Sequence, residues 1–205
     1  MAKHLTDMEW VSLAADPEAS RPVFEGVYRE SDAIVATQGS RLHFVAGDHG
    51  LELGLFHAKT GAAIEGQYPN WRQVVPVAAD ATKLPYIDLE DAKPIVKAAI
   101  AAWRANGRQV HYVTLPTADG KSVALNPKYV LDALSGAVQS LRYVPFQARD
   151  PLSPVLFHVL GVIRQAVVMP IRQNAKPSSR FDLTEFVKAH DGGTYPFPAY
   201  SGESS

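Results

Sequence analysis

The 205-residue sequence contains no cysteine, and this absence removes several kinds of site at once. The chain cannot form disulfides, thiolate zinc sites or a cysteine nucleophile, and it fits a reducing compartment. No window reaches the roughly 18 apolar residues of a membrane span, and MAKHLTDMEW holds no apolar stretch of signal-peptide length. We therefore expect a soluble, cytoplasmic protein that does not contact a membrane.

The sequence also lacks the common signatures of catalysis. It has no Gly-x-Ser-x-Gly elbow, and ADGKS at 118–122 lacks the first glycine of a phosphate-binding loop. His43, Asp48 and His49 suggest a metal site, but their spacing matches no standard ligand pair, and GDHG reads equally well as a turn. We predict no metal, no cofactor and no enzymatic activity.

What the sequence does have is an apolar content of 46% and a formal net charge of −1, so a packed core is expected. Its length allows one large domain or two small ones. In the first half, Thr6 and Glu9 form a capping box that starts a helix, and strands are predicted over 22–30, 33–46 and 51–58. An extended, proline-punctuated segment then leads to a domain boundary near residues 77–85.

The second half opens with a long helix, for which Asp91 is the expected N-cap and Gly107 the expected C-terminal glycine. Asn126 and Pro127 predict a compact second helix, and strands are expected on either side of it. The last strand, RQAVVMP, stops at Met169-Pro170, and the pattern indicates a strand that either ends there or lies at a sheet edge. Residues 174–205 read as a mobile tail, with one short amphipathic helix predicted in RFDLTEFVKAH.

The long helix of the second half carries cations and no acidic residue between Ala92 and Gln109. The following four lie within roughly 60° of each other on a helical projection: Lys93, Lys97, Arg104 and Arg108. Ile95, Val96, Ala99, Ile100 and Trp103 occupy the opposite arc. An ordinary solvated face is one interpretation; the other is a phosphate-binding stripe that gives affinity without sequence preference.

Four separated stretches resemble motifs of one family, the bacterial DNA polymerase III beta subunit, which is the replicative sliding clamp. They are VATQGSRLHFV (35–45), GQYPNWRQVVP (66–76), NPKYVLDAL (126–134) and AVVMPIR (166–172). The family's counterparts are the VATDGHRL-type hairpin, the FPDYRRVLP-type linker, the NVSYVLDVL-type helix and the VVMPMR-type last strand. The resemblance implies an α+β fold of DNA-clamp-like domains, with antiparallel sheets and helices on one face.

In the family these stretches line a hydrophobic groove that receives short peptide motifs of partner proteins. Carried over by motif, the groove residues are Thr37, Gly39, Arg41, Leu42, Pro69, Val74, Tyr129, Leu152, Pro154, Val167 and Met169. The resemblance also implies that Lys93, Lys97, Arg104, Arg108 and Lys128 face duplex DNA without sequence choice. Residues 1–82 resemble a reduced clamp domain 2, residues 83–173 resemble domain 3, and residues 174–205 are the tail.

Two functions follow as hypotheses. The first is a processivity factor that encircles or cradles duplex DNA and tethers a DNA polymerase, a clamp loader or other proteins with short clamp-binding motifs. A six-domain ring would then require a homo-trimer of this two-domain chain. The alternative is a clamp-like interaction module that forms no ring and acts as an adaptor or competitor for replication proteins.

Overall fold

A computed structural model describes residues 5–77, 79, 83–105, 111–137, 141–160, 163–172 and 179–189. Its helices are α1 (Asp7–Ser12), α2 (Leu89–Ala105) and α3 (Pro127–Leu134). Strands of the first half are β1 (Gly26–Arg29), β2 (Ala33–Thr37), β3 (Arg41–Ala46) and β4 (Gly54–His57). Those of the second half are β5 (Tyr86–Asp88), β6 (His111–Pro116), β7 (Ser122–Leu125), β8 (Tyr143–Gln147), β9 (Val155–Leu160), β10 (Arg164–Val168), β11 (Ser179–Asp182) and β12 (Val187–Lys188). Short 3₁₀ turns occupy Pro22–Glu25, Trp71–Val74 and Thr184–Phe186.

The caps of α1 and α3 are those the sequence predicts. The Thr6 hydroxyl accepts a hydrogen bond from the Glu9 amide, and the Glu9 carboxylate accepts one from the Thr6 amide. The Asn126 side chain accepts the Lys128 amide at 2.9 Å, with Pro127 as the first helical residue. Both signals depend on neighbouring residues alone, which is why they can be read from the sequence.

The start of α2 differs from the prediction. The helix begins at Leu89, and the cap is Asp88, whose carboxylate accepts the Glu90 amide at 3.1 Å. Arg142, which immediately precedes β8, donates to the same carboxylate at 2.8 Å, so a partner distant in the sequence fixes the cap. The predicted cap Asp91 lies in the first turn and Pro94 lies inside the helix. Gly107 and the side chain of Trp103 lie outside the described part of the chain.

The main sheet has nine strands in the order β12-β5-β8-β9-β10-β3-β2-β1-β4. Its neighbouring strands pair antiparallel, as the predicted α+β class requires. Pairing of β3 with β10 joins strands from both sides of the predicted boundary at residue 82. A smaller sheet, β11-β6-β7, belongs to the second half.

The prediction that β10 is an edge strand is wrong. Strand β10 pairs with β9 on one side and β3 on the other, and all five of its residues are buried. Pro170 costs no ladder hydrogen bond, because the paired strand ends at Val168 and the Met169 amide donates to the Ser40 carbonyl at 2.9 Å. Two β-branched residues before a proline therefore end a central strand here.

The two faces of the main sheet carry different cores. All three helices pack on one face, where Trp10, Val96 and Leu134 join alternate strand residues such as Val45 and Val168. On the other face, Leu42, Phe44, Leu156 and Val167 are covered by the extended segment that contains Tyr68 and Trp71. The helices thus lie on one side of the sheet, as predicted, and the linker crosses the opposite side.

The segment 179–189, assigned to a mobile tail in the sequence analysis, is folded onto the second half. Strand β11 pairs parallel to β6, and β12 pairs antiparallel to β5. Leu183 is fully buried between them, in the core under the helices. The helix predicted over RFDLTEFVKAH is therefore wrong: the apolar residues read as a helical stripe instead serve two strands and a 3₁₀ turn, an arrangement that depends on distant partners.

His43 is a fully buried titratable side chain under α1. Its ring stacks on Trp10 with centroids 4.5 Å apart, and its Nδ1 lies 3.0 Å from the Trp10 carbonyl oxygen. Burial lowers its pKa to about 3, and the nearby cations Arg41 and Lys128 act in the same direction. The carbonyl contact opposes the shift without cancelling it. His43 is therefore a neutral core residue, and the metal hypothesis that included it has no support.

We expect the free energy of unfolding to fall as the pH is lowered from about 6.5 to about 4.5, because only the unfolded chain then protonates His43. The stabilisation is complete above the ordinary pKa of 6.5 and is lost as the pH falls toward about 3. Over these two pH units, the free energy of unfolding should fall by about 2 to 3 kcal/mol. Urea denaturation at both pH values, on the wild type and on His43→Gln, measures this effect. An equal decrease in the free energy of unfolding of both proteins between the two pH values would contradict this prediction.

Candidate functional site

An open pocket of about 500 Å³ lies where the end of β10 meets the linker between the two halves. Its lining residues come from three parts of the chain and are largely apolar: Gln73, Val74, Pro76, Val77, Gln147, Arg149, Ser153, Pro154 and Met169. Val74 and Val77 are 46% and 91% exposed, which is unusual for valine and leaves apolar surface open to a ligand. The pocket can therefore bury apolar side chains of a partner.

The linker wall of the pocket is pinned at both ends. Trp71 is buried against Phe44, with ring centroids 4.9 Å apart, and Arg72 donates to Glu30 at 2.6 Å and to Asp32 at 2.9 Å. At the other end, Gln147 donates from Nε2 to the Val77 carbonyl at 3.1 Å. These contacts hold the backbone so that Val74 and Val77 project outward.

The opposite wall is the loop 149–154, and Asp150 organises it. The Asp150 carboxylate accepts the Leu152 and Ser153 amides at 2.8 Å each and the Ser153 hydroxyl at 2.6 Å. The hydrogen bond from Ser153 is the main reason why the pKa of Asp150 lies below its usual value. This turn presents Pro154 to the pocket and leaves Leu152 beside it, 75% exposed.

Three of the predicted groove residues line the pocket together: Val74, Pro154 and Met169. Leu42 and Val167 are paired directly on β3 and β10 and are buried in the core below, 2% and 1% exposed. They form the floor on which the linker packs and are not open surface. Pro69 is exposed on the linker, two residues before Trp71, and does not line the pocket.

The remaining predicted groove residues stabilise the β2–β3 hairpin and its contact with α3. The Thr37 hydroxyl donates to the Arg41 carbonyl at 2.6 Å and accepts the Gly39 amide at 3.1 Å, and Gly39 has a positive φ of 93°. Arg41 pairs with Asp132 and lies over the Tyr129 ring, 4.6 Å from its centroid. Arg41 is therefore held between Asp132 and the Tyr129 ring, and neither Arg41 nor Tyr129 lines the pocket.

Several residues that line the pocket were not predicted from the sequence. Gln73, Pro76 and Val77 lie within or next to the recognised linker motif, so its run of apolar residues and prolines was an available signal. Gln147 ends β8, Arg149 and Ser153 lie in the loop that follows, and no motif covers these three residues. Only the pairing of β8 with β9 places that loop opposite the linker.

The predicted cation stripe lies on α2. Lys97 and Arg104 are exposed and Lys93 is half-buried, whereas Val96, Ala99 and Ile100 of the same helix are buried. Ile100 lies only about 20° from Lys93 on the helical projection, so its assignment to the opposite arc is wrong. Burial, and then the charge of Lys97, lower the pKa of Lys93. Lys128 differs because its ammonium pairs with Asp132 at 2.6 Å. Arg108 lies outside the described residues.

Two further classes of site are absent from the part of the chain that the structure describes. No cluster there of three or more histidine or acidic side chains could hold a metal ion. Within the same residues, no helix has the length and apolarity needed to cross a bilayer.

Comparison with known proteins finds matches only among solved structures. Neither a family model nor a curated protein matches the chain. The DNA polymerase III subunit beta of Pseudomonas aeruginosa superposes with a TM-score of 0.65 at 16% identity, over 81% of this chain and 63% of that one. The Bartonella birtlesii sliding clamp bound to griselimycin gives 0.64 at 17% identity, with the same two coverages. The Helicobacter pylori beta clamp bound to a DNA ligase peptide gives 0.60 at 13% identity, over 80% of this chain and 62% of that one.

These identities are low, so the likeness concerns the fold. This chain spans a little under two thirds of the length of the solved clamps. Over about four fifths of its own length, the chain has the fold of the bacterial DNA polymerase III beta sliding clamp.

Proposed function

We propose that the protein is a DNA sliding-clamp-like processivity factor that holds a polymerase or another replication protein near duplex DNA. The observation that carries this proposal is the open apolar pocket formed by Val74, Pro154 and Met169 on a clamp fold. The protein acts without chemistry of its own, in the cytoplasm, by keeping its partner and DNA together.

The pocket suits a short peptide with bulky apolar side chains. Val74, Pro76, Val77, Pro154 and Met169 provide apolar contact, and the flexible Met169 side chain adapts to different partners. Gln147 already serves the linker backbone, so Gln73 and Arg149 are the lining groups available to orient the peptide main chain or a carboxylate. The proposal receives support from the solved clamps, of which one is bound to a DNA ligase peptide and another to griselimycin.

Direct binding of that DNA ligase peptide tests the pocket. The peptide is labelled with fluorescein and titrated with the protein while polarisation is recorded. We expect saturable binding that unlabelled griselimycin displaces, because both ligands occupy clamps of the same fold. Absence of binding to either ligand would remove the pocket from the proposal.

We also propose that the chain forms two clamp-like domains, 1–82 and 83–173, and that α2 of the second domain faces the DNA. Lys97 and Arg104 are exposed, and no ion-pair partner is found for them among the described residues, so they are free to meet phosphates. Contacts of this kind give affinity without sequence preference and weaken steeply with salt. A ring of six domains would need three copies of the chain.

Replacing Lys97 and Arg104 together with alanine is expected to weaken binding to a duplex by several-fold at 50 mM salt. Loss of two phosphate contacts should also reduce the slope of log K against log salt by about 2. The matched control is Arg21→Ala with Lys59→Ala, two exposed cations of the first half. If the two double variants bind equally, α2 does not face the DNA.

The alternative function, a clamp-like adaptor or competitor that forms no ring, is favoured by one observation. Both ends of the main sheet are occupied by segments of the same chain. Mass in solution separates the alternatives: a stable species of three times 22.3 kDa supports the ring, and a single copy supports the adaptor.

A further inference from the structure

The two ends of a β-sheet are the places where another chain adds most easily, because unpaired amide and carbonyl groups line an edge strand. The main sheet of this protein ends at β4 on one side and at β5, with β12 beyond it, on the other. What covers these ends determines whether copies of the chain join through their sheets.

The β4 end is closed by a return of the chain. The His57 amide donates to the Ala62 carbonyl at 2.8 Å, and the Ile64 amide donates to the Leu55 carbonyl at 2.8 Å. The Gly61 amide in turn donates to the His57 carbonyl at 2.9 Å. The Leu55 carbonyl and both backbone groups of His57 are therefore already hydrogen-bonded, and β4 offers a second copy little to pair with.

The other end is closed by residues 179–188, which we call the C-terminal clasp. Its first part, β11, pairs with β6 of the small sheet, and its last part, β12, pairs with β5 of the main sheet. One short segment thus occupies an edge of each sheet. Beyond it, β12 offers only Val187 and the exposed Lys188, a short and charged edge of the kind that resists further pairing.

The clasp is anchored by side chains as well as by strand pairing. Leu183 is fully buried, and its amide donates to the Thr114 carbonyl at 3.0 Å. Asp182 accepts the Thr114 hydroxyl at 3.2 Å and the Thr184 amide at 3.0 Å. Phe181 and Phe186 pack at the margin of the same core. The site is therefore shaped for this sequence and is more specific than an open strand edge.

We infer that the C-terminal clasp controls assembly of the protein. While it is docked in its own chain, both ends of the main sheet are closed and copies do not join through strand pairing. When it detaches, β5, β6 and the cavity left by Leu183 are exposed together, and the segment that fits them is the clasp of a second copy. Release therefore converts single copies into strand-exchanged oligomers. This inference goes beyond the proposed function: it rests on the alternative in which the chain forms no ring, and it does not depend on the peptide pocket.

The test compares the full-length chain with variants that open or lock the clasp. Leu183→Ser removes the apolar anchor, and Val187→Pro disturbs only β12. Tyr86→Cys with Lys188→Cys links two residues that are antiparallel partners, about 5 Å apart at Cα, within the range of a disulfide. Because the native chain has no cysteine, this disulfide is the only one that can form within a single copy, and non-reducing gel electrophoresis distinguishes it from a disulfide between copies.

Light scattering after gel filtration is the main measurement. We expect the wild type to remain at 22.3 kDa at micromolar concentration. The Leu183→Ser variant should form oligomers whose mass rises with concentration. Adding the locking cysteines to that variant should restore the single copy when the two thiols are oxidised to a disulfide in dilute solution. Reduction of the disulfide should bring the oligomers back.

A synthetic peptide of residues 179–189 provides an independent measurement. It should bind the Leu183→Ser variant and suppress its oligomers, whereas the same peptide with serine at position 183 should not. If Leu183→Ser does not fold, Val187→Pro is the deciding variant, because Val187 is only partly buried.

Two results would overturn the inference. One is a wild type that is already oligomeric with a mass that the disulfide does not change. The other is a variant that remains a single copy and ignores the peptide although hydrogen exchange at 86–88 shows an open clasp. Binding of the DNA ligase peptide is measured on the same samples. A wrong inference about the clasp can therefore be distinguished from a wrong proposal about the peptide pocket.

Discussion

Replacing Met169 with aspartate is expected to abolish peptide binding while the protein stays folded. Met169 lines the pocket with Val74 and Pro154, so the substitution places a charge where apolar side chains must be buried. We expect at least a hundredfold loss of affinity for the DNA ligase peptide, which is about 3 kcal/mol. Fluorescence polarisation measures the loss.

The fold should tolerate this change. Met169 is only partly buried, it follows the last paired residue of β10, and its structural contact is a backbone hydrogen bond to Ser40 that aspartate keeps. Leu53→Asp is the matched control, because Leu53 is an exposed leucine outside the pocket. Met169→Leu should keep most of the affinity. An unchanged affinity in Met169→Asp would show that the peptide binds elsewhere.

Replacing Gly136 with alanine is expected to destabilise the protein by at least about 3 kcal/mol. A Cβ atom at this position would lie 2.4 Å from Nε1 of Trp10 and 2.5 Å from its Cε2, far inside contact distance. The same indole N–H donates to the carbonyls of Asp132 and Ala133 at 3.0 and 3.2 Å, so a displaced ring also loses the hydrogen bonds of its buried N–H. Urea denaturation followed by tryptophan fluorescence measures the change.

A double-mutant cycle separates this cause from a backbone effect. Gly136 is not among the glycines with positive φ, so alanine fits its backbone and the cost is steric. In a Trp10→Ala background, Gly136→Ala should therefore cost little. If alanine at position 136 is equally costly with and without the indole, the contact with Trp10 is not the reason that glycine occupies this position.

Features that depend on neighbouring residues could be predicted from the sequence. The capping box of α1 and the cap of α3 follow from short patterns, and the structure has both. The residue pattern predicted a single strand over 33–46, which the structure divides into β2 and β3; only the family resemblance indicated a hairpin there. Features that depend on distant partners were missed. Asp88 caps α2 with help from Arg142, and β10 is central because β3 pairs with its second side.

The same distinction between local signals and distant partners applies to the residues of the candidate site. The motif resemblance identified Val74, Pro154 and Met169, which the fold brings together. It could not distinguish residues that line the pocket from residues that support it, because burial depends on the whole sheet. Leu42 and Val167 are the floor, and Arg41 is held by Asp132 and Tyr129. Gln147 and Arg149 had no local signal.

The position of β10 between β9 and β3 also bears on how the chain matures on the ribosome. Strand β3 is made early, and its partner at residues 164–168 is made near the end of translation. Until then, the nascent first half carries an unpaired edge with Leu42 and Phe44 on it, which is a surface prone to aggregation. Such long-range pairing slows folding. Nascent chains stalled before residue 164 should therefore depend on a chaperone more than released, full-length chains do.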